Sequence, residues 1–191
     1  MYHRSIDLSH PVLWTVPDLY PPDLCAAQIA RIEAAAPAPA PISTLRGEQM
    51  RPDIRNNDRV AFDDPATAAD LLARLGEHAP TWLSGMRLCG ANERLRCYRY
   101  GPGQRFAPHF DGAFVRDEHE QSLVSFLVYL NDGFEGGETV FLQNGETIVP
   151  RAGMALLFQH RVLHEGAPVR SGVKYVLRSD LMYRAVTAGY A

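Results

Sequence analysis

From about Glu93 onward the chain is a succession of short β-patterned runs broken by glycine turns, and this limits its fold more than any other feature. Arg94-Leu95-Arg96-Cys97-Tyr98-Arg99-Tyr100 alternates with period two, as a strand with one buried face does. Ser122 to Leu130 is rich in Val, Phe and Tyr and ends on Asn131-Asp132-Gly133, a strand followed by a turn. Thr139 to Leu142, Thr147 to Val149, Met154 to Phe158 and Lys174 to Met182 read as further strands, separated by Gly-Gly, Asn-Gly and Pro-Arg-Ala-Gly segments. Many short strands with Gly/Pro turns build a sandwich, barrel or jelly roll.

The N-terminal half is written differently. Residues 1–22 show no clear period and read as irregular. Asp23 to Ala36 reads as a helix, capped by Asp23 and stopped by Pro37, Pro39 and Pro41,. Asp64 to Leu75 reads as a second helix, with Pro65 suited to its first turn and Leu71, Leu72 and Leu75 toward the core,. Between them, residues 42–59 are polar and carry Arg46, Arg51, Arg55 and Arg59. They read as a long loop or hairpin. The 191 residues are expected to form one domain, with a helical, lid-like part over 1–90 and a jelly-roll core over 91–184,.

Composition narrows the function. Hydrophobic residues make up 46% and charged residues 21%, a globular balance,. No apolar run reaches the ~18 residues of a membrane span, so no membrane partner is expected. Net charge is −3, so nucleic acid is not an expected partner. The N-terminus lacks the apolar core of a secretory signal, and Cys25, Cys89 and Cys97 show no CxxC spacing. A reducing, cytoplasmic setting is the expectation.

His109-Phe110-Asp111 is an H-x-D. On a strand, residues i and i+2 point the same way, so both side chains would reach one side of the sheet. With His164 downstream, two imidazoles and a carboxylate on one face of a metal leave three positions open. That is the donor set of non-haem Fe(II) oxygenases, whereas a closed structural zinc site offers no vacancy. Eighteen basic residues are arginine and one is lysine, Lys174. It lies in an apolar run ten residues after His164, placed to bind the far carboxylate of a dicarboxylate that chelates the metal.

The segment from about Arg94 to Arg184 resembles a 2-oxoglutarate/Fe(II)-dependent dioxygenase of the prolyl 4-hydroxylase type. The resemblance is carried by Tyr100 to Asp111, Val128-Tyr129-Leu130-Asn131, Glu135-Gly136-Gly137-Glu138-Thr139, His164-Glu165-Gly166 and Gly172-Val173-Lys174-Tyr175. It implies a mainly β, double-stranded β-helix (jelly-roll, cupin-like) core with N-terminal α-helices packed outside. It makes His109, Asp111 and His164 the iron ligands, Lys174 the partner of the 2-oxoglutarate C5 carboxylate, and Tyr100 a second donor to that co-substrate. It implies hydroxylation of an unactivated C–H bond, of a prolyl or other residue, with O₂ consumed and succinate and CO₂ released. Ascorbate would keep the iron reduced. The substrate is expected to be a small molecule, peptide or protein. Phe106 stands where many prolyl hydroxylases have tyrosine.

Strand parity adds further candidates. Ser125, Leu127 and Thr139 are expected to wall the 2-oxoglutarate site. Arg96 and Tyr98 share the parity of Tyr100 and are candidate substrate contacts, as are Arg161 beside His164 and Arg55, Asn56 and Asn57 in the segment 42–59, which is expected to fold over the site as a substrate lid. Arg178 shares the Lys174 face and is expected to be structural, and Gly136-Gly137 a simple turn. The rival readings are a zinc- or manganese-binding cupin-like protein and a non-catalytic jelly-roll binding protein. Lys174 with Tyr100 argues against the first, and the complete triad against the second.

Overall fold

The computed structural model describes residues 6–44 and 46–186. A large antiparallel sheet forms the frame. Its strands run in the order Leu13–Val16, Ala155–Gln159, Glu120–Tyr129, Lys174–Ala185, Arg94–Tyr100, Asp58–Asp63 and Ala38–Pro39. Met86–Ala91 pairs with the far end of Lys174–Ala185. A smaller antiparallel sheet runs Glu146–Ile148, Thr139–Phe141, His164–Gly166, Phe106–His109.

Period-two alternation divides the large sheet into two faces. Leu95, Cys97, Val124, Phe126, Val128, Leu157, Leu177, Leu181 and Tyr183 point outward to a core shared with the helices. Tyr98, Tyr100, Tyr129, Leu156, Phe158 and Val176 point inward to a second core, shared with Phe141 of the small sheet. The helices α1, Pro22–Ala34, and α2, Pro65–Leu75, cover the outer face through Ile32, Leu71 and Leu75. This is the jelly roll with external helices expected from the sequence.

The helix ends obey local chemistry. Asp64 caps α2 by accepting the Thr67 backbone N–H at 3.0 Å,. Asp23 does not cap α1: the helix begins at Pro22, and Asp23 lies in its first turn, where a carboxylate still favours the positive end of the helix dipole. Proline at the first position costs no hydrogen bond.

The N-terminal half holds strands that local pattern left unseen. Leu13–Val16 lies within the stretch read as irregular, and Asp58–Asp63 pairs beside Arg94–Tyr100. Within 42–59, Ile42–Thr44 and Gly47–Gln49 form a hairpin.

Candidate active site

The three metal-ligand candidates meet where the small sheet faces the large one. His109 and His164 are direct cross-strand partners, and their ring centroids lie 4.3 Å apart. Asp111 is not on a strand, contrary to the H-x-D reading: Phe106–His109 ends at the histidine. Asp111 is nonetheless turned inward, with its Oδ1 3.6 Å from His109 Nε2 and its Oδ2 3.7 Å from His164 Nε2. The donor atoms of the three lie within 4.8 Å of one another.

Hydrogen bonds fix the state of each donor. His109 Nδ1 lies 2.9 Å from the Ala107 carbonyl, and His164 Nδ1 lies 2.9 Å from the Val162 carbonyl. A carbonyl only accepts, so both Nδ1 atoms carry the proton and both Nε2 lone pairs are free for a metal. Burial pushes the His164 pKa down to about 4 against the opposing pull of Asp111, so the ring is neutral at physiological pH. Phe106 stacks flat on His109 at 3.5 Å and Phe158 meets His164 edge-on at 4.5 Å, and these rings restrict the imidazoles.

Asp111 is held by two further groups. Arg178 Nη1 donates to Oδ1 at 2.8 Å, and Ser125 Oγ donates to Oδ2 at 2.6 Å. Burial alone would raise the carboxyl pKa; the Arg178 guanidinium and the two imidazoles outweigh it and hold it well below the usual range,. Ser125 belongs to a chain whose donors can be assigned throughout. The Phe114 N–H donates to Ser122 Oγ at 2.8 Å; because Ser125 donates its O–H to Asp111, the neutral His160 ring carries its proton on Nδ1, so the Ser122 hydroxyl donates to His160 Nε2 at 2.8 Å,. His160 Nδ1–H then donates to Ser125 Oγ at 3.1 Å, and Ser125 donates to Asp111. His160 is buried and its pKa is lowered, chiefly by desolvation, which agrees with a neutral ring.

Lys174 stands opposite Tyr100 on the neighbouring strand. It is 3% exposed, neither on the surface nor paired with Asp180. Its Nζ donates to the Gly137 carbonyl at 2.6 Å and lies 5.2 and 5.3 Å from the Tyr100 and Tyr129 ring centroids. Desolvation pushes its pKa down to about 7, with Glu138 opposing. Burial likewise raises the Tyr100 phenol to about 12, so it remains a donor.

Lys174, Tyr100, Leu127, Thr139 and Val176 line a narrow inner cavity together with the three ligand candidates. Tyr98, Phe106, His109, Asp111 and Arg178 are shared with a wider outer cavity of about 480 Å³.

The comparisons with known proteins agree with this geometry. The family described as the 2OG-Fe(II) oxygenase superfamily matches residues 95–179. Those residues span both imidazoles, the carboxylate and the buried lysine. Over those residues the chain is similar to 2-oxoglutarate/Fe(II) oxygenases, and the relatives it matches are of the prolyl 4-hydroxylase type. Over 73 residues it is 40% identical to a probable prolyl 4-hydroxylase 11 of Arabidopsis thaliana, covering 35% of this chain and 24% of that protein. The chain spans 18–28% of the length of the curated relatives it matches first. Among solved structures, a viral collagen prolyl hydroxylase from Paramecium Bursaria Chlorella virus-1, in a 2OG complex, superposes with a TM-score of 0.65 at 22% identity. That match covers 93% of this chain and 98% of the viral one. A prolyl hydroxylase from Trichoplax adhaerens, in complex with a hypoxia inducible factor peptide fragment, gives 0.67 at 16% identity, covering 91% and 84%.

Not every sequence candidate faces these two cavities. Ser125 lies behind Asp111 and hydrogen-bonds it instead of walling the inner cavity. Asn56 binds backbone, accepting the Arg105 N–H at 2.7 Å. Asn57 is fully buried and accepts Arg55 Nε at 2.7 Å. Arg161 is exposed and lines neither cavity. Arg55, Arg96 and Tyr98 do line the outer cavity. Arg96 is ion-paired to the fully buried Asp180.

Three contributors escaped the sequence reading. Gly137 is more than a turn: its carbonyl accepts a hydrogen bond from Lys174, and at φ +67° an added Cβ would stand 3.2 Å from Lys174 Cδ. Arg178 has a specific place the sequence reading did not give: it holds the candidate ligand Asp111. Its parity with Lys174, four residues earlier, was the available signal. His160 is enclosed behind Asp111, hydrogen-bonded between Ser122 and Ser125.

Proposed function

We propose that the chain is an Fe(II)- and 2-oxoglutarate-dependent hydroxylase acting on an unactivated C–H bond of a prolyl residue, another amino-acid residue or a small molecule. The observation that carries this reading is the convergence of two Nε2 lone pairs and one carboxylate within 4.8 Å, in a cavity also lined by the buried Lys174. The donor set fits iron: it is open, mixed nitrogen and oxygen, and oriented by partners on the far side of each ligand. His109, Asp111 and His164 would hold the metal. Bound Fe(II) supplies oxygen activation coupled to decarboxylation of 2-oxoglutarate, with succinate and CO₂ as co-products.

The protein's own groups bind and orient. Lys174 and Tyr100 take the far carboxylate of 2-oxoglutarate, with Leu127 and Thr139 as walls. Arg178 and Ser125 keep Asp111 ionised and aimed. The aromatic and aliphatic lining excludes water from the inner cavity. Substrate enters the outer cavity past Tyr98, and the segment 42–59 acts as its lid; Ile42, Ser43, Ile54 and Arg55 line that cavity. A peptide substrate is supported by the peptide-bound Trichoplax neighbour. Ascorbate serves as reductant. The setting is cytoplasmic, in keeping with three free cysteines. No described helix is long and apolar enough to cross a membrane.

The test is mass spectrometry of a cell lysate treated with active protein or with His109→Ala. Products heavier by one oxygen, about 16 Da, should form with the wild type in the presence of Fe(II) and 2-oxoglutarate. Identical spectra from both proteins would remove the hydroxylase reading.

A further inference from the structure

The outer cavity carries a charge that the site chemistry leaves unanswered. Four arginines line it: Arg55, Arg59, Arg96 and Arg178. Arg59 pairs with Glu48 at 3.0 Å. Arg96 and Arg178 share Asp180, and Arg178 also binds Asp111. Arg55 has no carboxylate partner among the described residues. It is 5% exposed, and its Nη2 is buried with no hydrogen-bond partner.

Arg55 is also rigidly presented. Its guanidinium carbon lies 4.5 Å from the Tyr98 ring centroid and 4.4 Å from that of Phe106. Asn57 fixes its Nε. A buried polar group without a partner is rare and costly, and a guanidinium fork is the group best suited to grip a carboxylate in two places. Tyr98 registers the same field: burial raises its phenol pKa, and the guanidiniums of Arg178, Arg55 and Arg96 together overcome that and lower it.

We propose that the outer cavity is a carboxylate-binding substrate site in which Arg55 grips an anionic group of the molecule to be hydroxylated. This names a substrate class and rests on the hydroxylase reading. The carboxylate is that of a free acid or of an acidic or C-terminal residue of a peptide.

The test is binding without turnover. Protein loaded with Mn(II) and saturating 2-oxoglutarate is titrated calorimetrically with three matched pairs: N-acetyl-L-proline and its amide, benzoate and benzamide, and a proline-containing pentapeptide with free or amidated C-terminus. At least one acid should bind tenfold or more tightly than its amide, since a charge-assisted hydrogen bond is worth about that factor. Arg55→Gln should abolish the preference, and Arg55→Lys should retain part of it. 2-Oxoglutarate affinity should stay unchanged in both. The pair that shows the preference tells free acid from peptide. Equal affinity within every pair, or a preference that survives in Arg55→Gln, overturns the proposal. An Arg55-dependent preference without any succinate release under Fe(II) would instead sink the hydroxylase reading and leave the anion site standing.

Discussion

Lys174 and Tyr100 face each other across adjacent antiparallel strands, with the ammonium 5.2 Å from the phenol ring centroid. Strand register therefore places a buried cation beside a neutral donor, with no carboxylate to pair with Lys174 at hydrogen-bonding distance among the described residues. The cation is costly while it stands alone and becomes favourable when a dicarboxylate arrives.

That relationship sets a pH dependence. The Lys174 pKa is depressed to about 7 in the folded chain, so the unfolded chain binds more protons above that pH. Stability without 2-oxoglutarate should rise with pH from about 7 toward the ordinary lysine range. Binding of 2-oxoglutarate should restore the charge. Calorimetry in buffers of different ionisation enthalpy should show more proton uptake per 2-oxoglutarate at pH 8 than at pH 6. Equal uptake at both values would show that Lys174 does not change state.

Gly137→Ala should weaken 2-oxoglutarate binding about tenfold. The residue has φ +67°, and the new methyl would press on Lys174 Cδ, Val169 and Phe134; an L-residue there costs on the order of 1–2 kcal/mol. Mn(II) affinity should be unchanged. A parallel loss of metal binding would point to general collapse of the site.

Ser125→Ala should weaken Mn(II) binding roughly 10–100-fold, as loss of a hydrogen bond behind a metal ligand does. Ser125 Oγ holds Asp111 Oδ2 at 2.6 Å and is the last link from His160. Ser122→Ala, two links further away, should cost less. Electron paramagnetic resonance titration of free Mn(II) checks both, and equal affinity of Ser125→Ala and wild type would mean that Asp111 needs no such support.

Asp180→Asn should destabilise the fold by about 3–5 kcal/mol, because it leaves the buried guanidinium of Arg178 and that of Arg96 short of a counter-charge,. A urea midpoint shift with an unchanged slope measures it. A change below about 1 kcal/mol would show that the arginines find partners without it.

The jelly roll was legible because its strands alternate. Tyr98, Lys174, Ser125 and Leu127 fall on the inner face by counting in twos, and Val124 and Leu177 fall on the outer one. The lone lysine stands out by residue type and falls on the same face, and His109 and His164 meet as cross-strand partners, but Asp111 lies beyond the end of its strand and its inward turn does not follow from alternation. Strands Leu13–Val16 and Asp58–Asp63 were not legible, since they are set by sheet partners about 140 and 31 to 41 residues downstream. The hydrogen-bond partners of Asn57 and Ser125 were equally hidden. Polar type suggested ligand contact, and only three-dimensional packing shows that their hydrogen bonds go to Arg55 and Asp111.

Succinate formation from 2-oxoglutarate with added Fe(II), measured for the wild type and for His109→Ala, Asp111→Ala and His164→Ala, tests the metal centre most directly. Each substitution removes one of the three converging donors without emptying the main core. The wild type should release succinate in an iron-dependent manner, and each variant should release none while keeping a folded circular dichroism spectrum. Near wild-type succinate release by any one of the three would contradict the triad.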